Sequence, residues 1–209
     1  MIRIKIIIIY FIVTYLCLLL FHNLKRLMLF LKYIFKSSNI DSIPLHYINL
    51  KILNNYLNSL KNNHYIFIDF GCGIGNILQE VNKLKKFKRI IGIEKSKISY
   101  DIANENISEN ILIRNMSMEN YIFENSPTIF YLYEPLWNIK DKEIKNNIYK
   151  KIFNNLNNID NIKIIYISSS YARDLDDTFF KSYNFNLELK KYLFNDFLFR
   201  TKLMTIWNK

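Results

Sequence analysis

Glycine is scarce in this chain: the 209-residue sequence contains four, and all four lie between Tyr65 and Glu94. Three of them form the pattern Gly71-x-Gly73-x-Gly75. A chain with so little glycine does not use it as loop filler. Each glycine is therefore expected where a side chain is excluded, either by a positive φ or by a closely approaching ligand. The scarcity places the organising feature of the chain between residues 65 and 94.

Cysteine and histidine are also few. The two cysteines, Cys17 and Cys72, are too few and too separate for a disulfide framework or a metal site. The three histidines are scattered without the spacing of metal ligands. We therefore expect no bound metal ion, and a reducing compartment.

Acidic residues are absent from the first 40 residues, which contain six Lys or Arg. The formal charge of the whole chain is +11, and the remainder carries 29 − 6 = 23 basic against 18 acidic residues, a net +5. Much of the excess would therefore face anionic lipid headgroups if the apolar segment between these basic residues entered a bilayer. This distribution favours a solvated or lipid-facing basic surface over specific nucleic-acid binding.

Charge of either sign is missing from Ile6 to Leu24, nineteen residues that would span about 28 Å as a helix. That length predicts one membrane-spanning helix, within an anchor that covers residues 1–36. A helix packed on the rest of the protein and a cleaved signal peptide are the alternatives, although no small-residue cleavage site follows the segment. The distribution of basic residues slightly favours a single-pass membrane protein whose C-terminal domain faces the cytoplasm.

The segment around the glycines is predicted to form a strand, a tight turn and a helix. Tyr65 to Phe70 is an apolar run typical of a buried strand, and Asn76 to Lys86 has apolar residues at helical spacing. The start of this helix is expected to add free backbone N–H groups and a positive dipole end. A dinucleotide fingerprint needs G-x-G-x-x-G, whereas here Gly75 comes one residue early.

Two acidic residues complete the pattern. Asp69 makes the string D-x-G-x-G-x-G, and a second apolar strand from Arg89 to Ile93 ends in Glu94. This resembles the first motif of the class I S-adenosylmethionine (SAM) dependent methyltransferases, which implies SAM as cofactor and Glu94 as the residue that holds the ribose hydroxyls. A carboxylate at a strand end can accept hydrogen bonds from both hydroxyls. The alternatives are a purely structural glycine turn and a Glu94 that only caps a helix.

The rest of the chain alternates predicted helices and strands after a linker at residues 37–44. Helices are predicted at 47–60, 97–106 and 141–156, and strands at 111–114, 128–133, 162–168, 185–193 and 197–207. Residues 45–209 are thus predicted to form one α/β domain. The family resemblance implies a doubly wound, mostly parallel seven-stranded sheet with a C-terminal antiparallel hairpin.

The resemblance also implies which residues contact the cofactor. Ser117 and Met118 follow the third strand, where the family holds the adenine ring, although an acid usually stands in place of the serine. Glu119 or Asn115 could serve instead. The full set of implied cofactor contacts is Asp69, Gly71, Cys72, Gly73, Gly75, Glu94, Ser117 and Met118.

The fourth strand is followed by Glu134-Pro135-Leu136-Trp137. This run is similar to the motif that holds the target nitrogen in amino-group methyltransferases, with Glu134 in place of Asn or Asp and Leu136 in place of a second proline. Glu134 could orient or deprotonate an amine, and Trp137 could stack against the acceptor, so both are candidate catalytic residues. The alternative is that Glu134 caps and Trp137 packs.

The uncharged N-terminal segment and the family resemblance together predict a membrane-anchored, SAM-dependent methyltransferase. Its expected acceptor is an amine, first a lysine of a protein at the membrane and second a lipid or small amine. The alternatives are a binding or scaffold protein that keeps the fold without transfer, and a nucleic-acid methyltransferase. Fold alone does not choose among these acceptors.

Overall fold

The computed structural model describes residues 50–61, 64–136, 139–156, 159–169, 174–194 and 201–209. All of them belong to one compact unit, His46–Lys209. The predicted membrane anchor at residues 1–36 and the linker at 37–44 lie outside the described residues. Within the described ranges, no helix is both long and apolar enough to cross a bilayer.

Seven strands and five α-helices make up the described fold. The strands are β1 (Ile66–Phe70), β2 (Arg89–Glu94), β3 (Ile111–Asn115), β4 (Thr128–Tyr133), β5 (Ile162–Ser169), β6 (Asn186–Phe194) and β7 (Thr201–Asn208). The helices are α1 (Leu50–Ser59), α2 (Asn76–Asn82), α3 (Lys97–Asn106), α4 (Lys142–Leu156) and α5 (Asp177–Ser182), and Met118–Asn120 forms a 3-10 turn.

The strands form one sheet in the order β3-β2-β1-β4-β5-β7-β6. Strands β1 to β5 pair in parallel, and β7 is antiparallel to both β5 and β6. The predicted seven-stranded, mostly parallel sheet with a C-terminal antiparallel hairpin is confirmed. Chain order reverses between β1 and β4, and in open sheets of this kind ligands bind beside such a reversal, at the carboxyl ends of the strands.

Helices cover both faces of the sheet. Successive residues of a strand point to opposite faces, and the central strands carry apolar residues on both faces. Phe67 of β1 packs in a core with α1 and α2, whereas Ile66 and Ile68 pack in a second core with α4 and α5. In the second core, the rings of Phe180 and Trp207 stack with centroids 4.5 Å apart. Burial on both faces is typical of a parallel sheet of this kind, in which the carboxyl ends of the strands lie side by side.

The largest differences from the sequence-based expectation concern two helices, while several other bounds move by one residue. Helix α2 ends at Asn82 instead of Lys86, because Lys85 adopts a left-handed φ of 49° and the chain turns toward β2. Helix α5 was not predicted: its six residues are too few to show a helical period, and Asp176 starts it by accepting a hydrogen bond from the Phe179 N–H at 2.8 Å.

Candidate functional site

The glycine loop, residues 71–75, joins β1 to α2 and bends through three left-handed residues. Gly71, Gly73 and Gly75 have φ values of 76°, 56° and 82°. A Cβ at Gly71 would lie 3.3 Å from Pro135 Cβ, and one at Gly75 would lie 3.0 Å from Ile107 Cγ2. A Cβ at Gly73 would meet no described atom within 4 Å. Gly71 and Gly75 are therefore packed against protein, whereas Gly73 faces open space that a ligand can fill.

The fourth glycine is a packing residue. A Cβ at Gly92 would lie 2.6 Å from Leu78 Cδ1 and 2.7 Å from Cys72 Sγ, so only glycine lets α2 and the loop approach β2. The Cys72 side chain is buried in the core on this face of the sheet, and burial, followed by the charges of Asp69 and Glu94, raises the pKa of its thiol. Any contact between Cys72 and a ligand would therefore be made by the backbone of Cys72.

The backbone N–H groups of the loop are largely used inside the protein. Their bonds are Gly71 to Ile93 O at 2.9 Å, Cys72 to Ile93 O at 3.2 Å, Gly73 to Glu94 Oε2 at 2.8 Å and Gly75 to Cys72 O at 3.0 Å. The expectation of free N–H groups concerned the start of α2, and it stays a prediction. A loop whose N–H groups are already bonded is a poor cradle for a pyrophosphate, which dinucleotide sites bind through such groups.

Glu94 lies at the carboxyl end of β2 and is 8% exposed. Its Oε2 accepts from the Gly73 N–H, and its Oε1 accepts from the Ser96 N–H at 2.7 Å, just before α3. Each carboxylate oxygen has a second lone pair, so the side chain can accept further bonds from a ligand. The two interpretations of Glu94, ligand contact and structural cap, are therefore compatible, because the capping bonds fix the carboxylate beside the open face of Gly73.

Asp69 adds a second buried carboxylate. It is 3% exposed, and burial, followed by the charge of Glu94, raises the pKa of Asp69. Burial also raises the pKa of Glu94, against the opposing effect of its backbone hydrogen bonds from Ser96, Gly73 and Lys95. No ion pair found among the described residues includes either acid. The pair therefore favours a ligand that carries positive charge and hydrogen-bond donors.

Tyr131 lies beside Asp69 on the same face of the sheet, since the two residues are paired in register between β1 and β4. The Tyr131 hydroxyl is buried and has no hydrogen-bond partner in the described part of the chain. Sequence reasoning did not single out this residue. A tyrosine in the middle of a predicted buried strand was the signal that could have found it, because its hydroxyl needs a polar partner.

The end of β3 brings the predicted adenine contacts close to Glu94. The Met116 N–H donates to Glu94 O at 3.1 Å, and Asn115 Nδ2 donates to the same oxygen at 2.9 Å. Ser117 Oγ donates to Glu119 Oε1 at 2.9 Å, so the serine and the nearby acid act as one polar group. Met118 is partly buried against the core. The assignment of Ser117 and Met118 to the adenine ring stays a prediction.

Glu134 follows β4 directly, on the other side of the glycine loop. Its φ of 40° is left-handed, a conformation that costs about 1–3 kcal/mol in a residue other than glycine. Its carboxylate forms an ion pair with Lys202 of β7, and the Lys202 Nζ lies 5.4 Å from the centroid of the Tyr133 ring. The other candidate catalytic residue, Trp137, lies outside the described residues.

Sequence reasoning missed Lys202. The alternation of β7 places Lys202 on the same face as Met204 and Ile206, which are both 0% exposed. A lysine in phase with buried apolar residues is the signal that could have marked it, because an inward charge needs a partner.

Comparison with known proteins gives likeness of structure and not of sequence. No protein-family model matches the sequence, and no curated protein matches it. Among solved structures, the N-methyltransferase NodS of Bradyrhizobium japonicum, in complex with S-adenosyl-L-homocysteine (SAH), has a TM-score of 0.63 at 11% identity, over 87% of this chain and 98% of that one.

Two further structures show the same likeness. The methyltransferase domain of a bacterial Hen1 has a TM-score of 0.57 at 16% identity, over 77% of this chain and 97% of that one. Sp1610 of Streptococcus pneumoniae, a putative tRNA (m1A22) methyltransferase, has a TM-score of 0.58 at 14% identity, over 78% of this chain and 70% of that one. Sheet order, glycine loop and these likenesses agree that the chain has the fold of the class I SAM-dependent methyltransferases.

Proposed function

We propose that this protein is a SAM-dependent methyltransferase whose acceptor is an amine. The observation that carries the cofactor assignment is the glycine loop itself, in which Gly73 opens to empty space beside two buried acids, Asp69 and Glu94. A ligand that fits must be cationic, must donate hydrogen bonds and must not depend on a phosphate cradle. SAM has a sulfonium, an amino group and a ribose diol, and so meets these requirements.

Three residues of the chain would form the cofactor site. Gly73 leaves room for the ligand, Glu94 accepts from the ribose hydroxyls, and the charge of Asp69 favours the cationic part. When bound, SAM supplies a methyl group on a positively charged sulfur, and transfer forms the bond to the acceptor while the C–S electron pair returns to sulfur. Because the leaving group is already activated, the protein mainly aligns the acceptor and excludes water.

The proposal of an amine acceptor rests on Glu134. The residue stands at the end of β4, and Pro135, next in sequence, packs against Gly71 of the glycine loop. A carboxylate at this position can accept a hydrogen bond from an acceptor N–H and so orient the nitrogen lone pair. We further propose that the acceptor is a protein lysine at a membrane and that residues 1–36 anchor the domain there, facing the cytoplasm. The uncharged segment from Ile6 to Leu24 supports this part of the proposal.

Incubation of the protein with methyl-labelled SAM and membrane extract tests the function. We expect label in protein, at lysine, and none with the Gly73→Val variant as control. Label in lipid or in a small amine would support methyltransferase activity but replace protein lysine as the proposed acceptor. Label in RNA or DNA would replace the amine proposal with nucleic-acid methylation, and SAM binding without any labelled product would favour a binding or scaffold protein.

A further inference from the structure

A buried lysine stands at the carboxyl edge of the sheet. Lys202 is 7% exposed, and its ammonium is within hydrogen-bond distance of Glu134 Oε2. A buried charge of this kind is stable only when it is paired, and removal of one partner takes away a charge that stabilises the other. The pair is therefore a built feature of the fold.

The backbone fixes both partners. Lys202 is paired in register with Ser169 at the end of β5 and with Leu193 of β6, which holds it in the sheet. The Glu134 N–H donates to Ile167 O at 3.1 Å, so its left-handed turn starts from a bonded strand end. Two anchored backbones leave the two side chains few other arrangements.

The pair also lies next to the proposed ligand site. Pro135 follows Glu134 in sequence, and its Cβ is the described atom that comes nearest to a Cβ built on Gly71. The glycine loop and the Glu134–Lys202 pair are thus neighbours at the point where the strand order reverses between β1 and β4.

We propose that Lys202 is a positioning residue of the acceptor site, which holds the Glu134 carboxylate beside the glycine loop and cancels its charge, so that the site takes its acceptor as a neutral amine. This inference rests on the proposed function. A lone carboxylate attracts the ammonium form of an amine, and that form has no lone pair with which to accept a methyl group. A carboxylate paired with an ammonium keeps its hydrogen-bonding oxygens and loses most of this preference.

The charge at the acceptor site can be measured without knowledge of the acceptor. Sinefungin is a SAM analogue in which a carbon that bears an amino group replaces the methyl-bearing sulfur, so its ammonium lies where the methyl group would meet the acceptor. SAH has no charge at that position. The ratio of the Kd for SAH to the Kd for sinefungin therefore reports the local potential, and contacts that the two ligands share cancel.

The expected changes in the ratio have opposite signs for the two partners. Lys202→Met should raise it at least tenfold, because Glu134 then faces the sinefungin ammonium without the Lys202 charge beside it. Glu134→Gln should lower it at least tenfold, because the Lys202 charge then repels that ammonium. Lys202→Arg, which keeps the charge, and the double variant Lys202→Met/Glu134→Gln, which removes both charges, should stay within about threefold of wild type.

The other outcomes either count against the proposal or move its test to a second pair of variants. If SAH binding is retained but the two single variants leave the ratio unchanged, or shift it in the same direction, Lys202 does not set the charge of the acceptor site. If Lys202→Met alone loses SAH binding or fails to fold while the double variant does not, the test rests on Glu134→Gln and the double variant, whose expected ratios differ at least threefold. If wild type binds neither ligand, the proposed function itself is overturned and this inference falls with it.

Discussion

Two carboxylate sites lie at the carboxyl edge of the sheet, and they differ in how their charge is balanced. On the proposed cofactor side, Asp69 and Glu94 are both buried, and neither takes part in an ion pair found among the described residues. On the proposed acceptor side, Glu134 is paired with the buried Lys202. At one site two acids thus have no ion-pair partner among the described residues, and at the other site the acid is paired with a lysine. We interpret the difference as a division between a site for a cationic cofactor and a site for a neutral acceptor.

The largest expected effect tests whether the cofactor side is a ligand site at all. Gly73→Val puts a branched side chain into the open face of the loop, and we expect SAM affinity to fall beyond detection by calorimetry. Folding should survive with a loss of about 1–2 kcal/mol, the cost of a left-handed φ in an L-residue. The contrasting variant is Gly92→Val, whose side chain would clash with Leu78 and Cys72 and destabilise the whole domain. Unchanged SAM affinity in Gly73→Val would place the ligand elsewhere.

The next prediction asks what Glu94 contributes beyond its capping bonds. Glu94→Gln should weaken SAM and SAH equally, by tenfold or more, because a charge-assisted bond to the ribose is worth roughly 1.5–3 kcal/mol. It should also lower the free energy of unfolding by about 1 kcal/mol, since the amide nitrogen must face one of the two N–H donors, Gly73 or Ser96.

The matched control is Glu124→Gln. Glu124 pairs with Arg89 at the opposite end of β2 and is exposed. Its variant should leave both affinities unchanged. Loss of stability in Glu94→Gln without loss of affinity for either ligand would reduce Glu94 to a cap.

Asp69→Asn tests the uncompensated charge directly. Burial raises the pKa of Asp69 in the folded protein, so the folded state holds the proton more tightly than the unfolded state. Below the ordinary pKa of about 3.9, Asp69 therefore does not lower the free energy of unfolding. As the pH rises toward and through the folded pKa, ionisation of Asp69 lowers that free energy increasingly. The variant should therefore be more stable than wild type at pH 7, by about 1–3 kcal/mol, and SAM should bind it less tightly.

Urea unfolding across pH 4 to 7 measures this prediction. The stability difference between Asp69→Asn and wild type should be smallest at pH 4 and should widen as the pH rises. A difference that narrows with rising pH, or a variant less stable than wild type at pH 7, would mean that Asp69 is compensated within the protein and that the two sites do not differ as described.

The smallest expected effect concerns Tyr131. Its hydroxyl is buried without a partner in the described part of the chain, so Tyr131→Phe should keep stability or increase it by about 1 kcal/mol or less. SAM affinity should stay within about twofold. A tenfold loss of affinity would instead add the hydroxyl to the ligand contacts, next to Asp69.

Sequence predicted the local features of this molecule well, because they are encoded locally. The bounds of α3 and β4 are the predicted ones, since apolar periodicity and the Ser96 cap act within a few residues. The left-handed conformations of Gly71, Gly73 and Gly75 followed from the scarcity of glycine.

What sequence did not predict depends on contacts between distant parts of the chain. Loop N–H groups donate hydrogen bonds to Ile93 and Glu94, which lie beside the loop because β2 pairs with β1. The pairing of Glu134 with Lys202, 68 positions apart, depends on the place of β7 in the sheet. The sequence can indicate that a lysine points into the core, but the partner of that lysine follows only from the order of the strands in the sheet.

The central claim is that the glycine loop and its two acids bind SAM and not a dinucleotide. Isothermal titration calorimetry of the 209-residue chain, with SAM and with NAD in parallel, tests it most directly. We expect SAM to bind in the low micromolar range or tighter and NAD to give no heat, because two buried carboxylates repel a pyrophosphate and the loop N–H groups are already bonded. Heat with NAD and none with SAM would contradict the account.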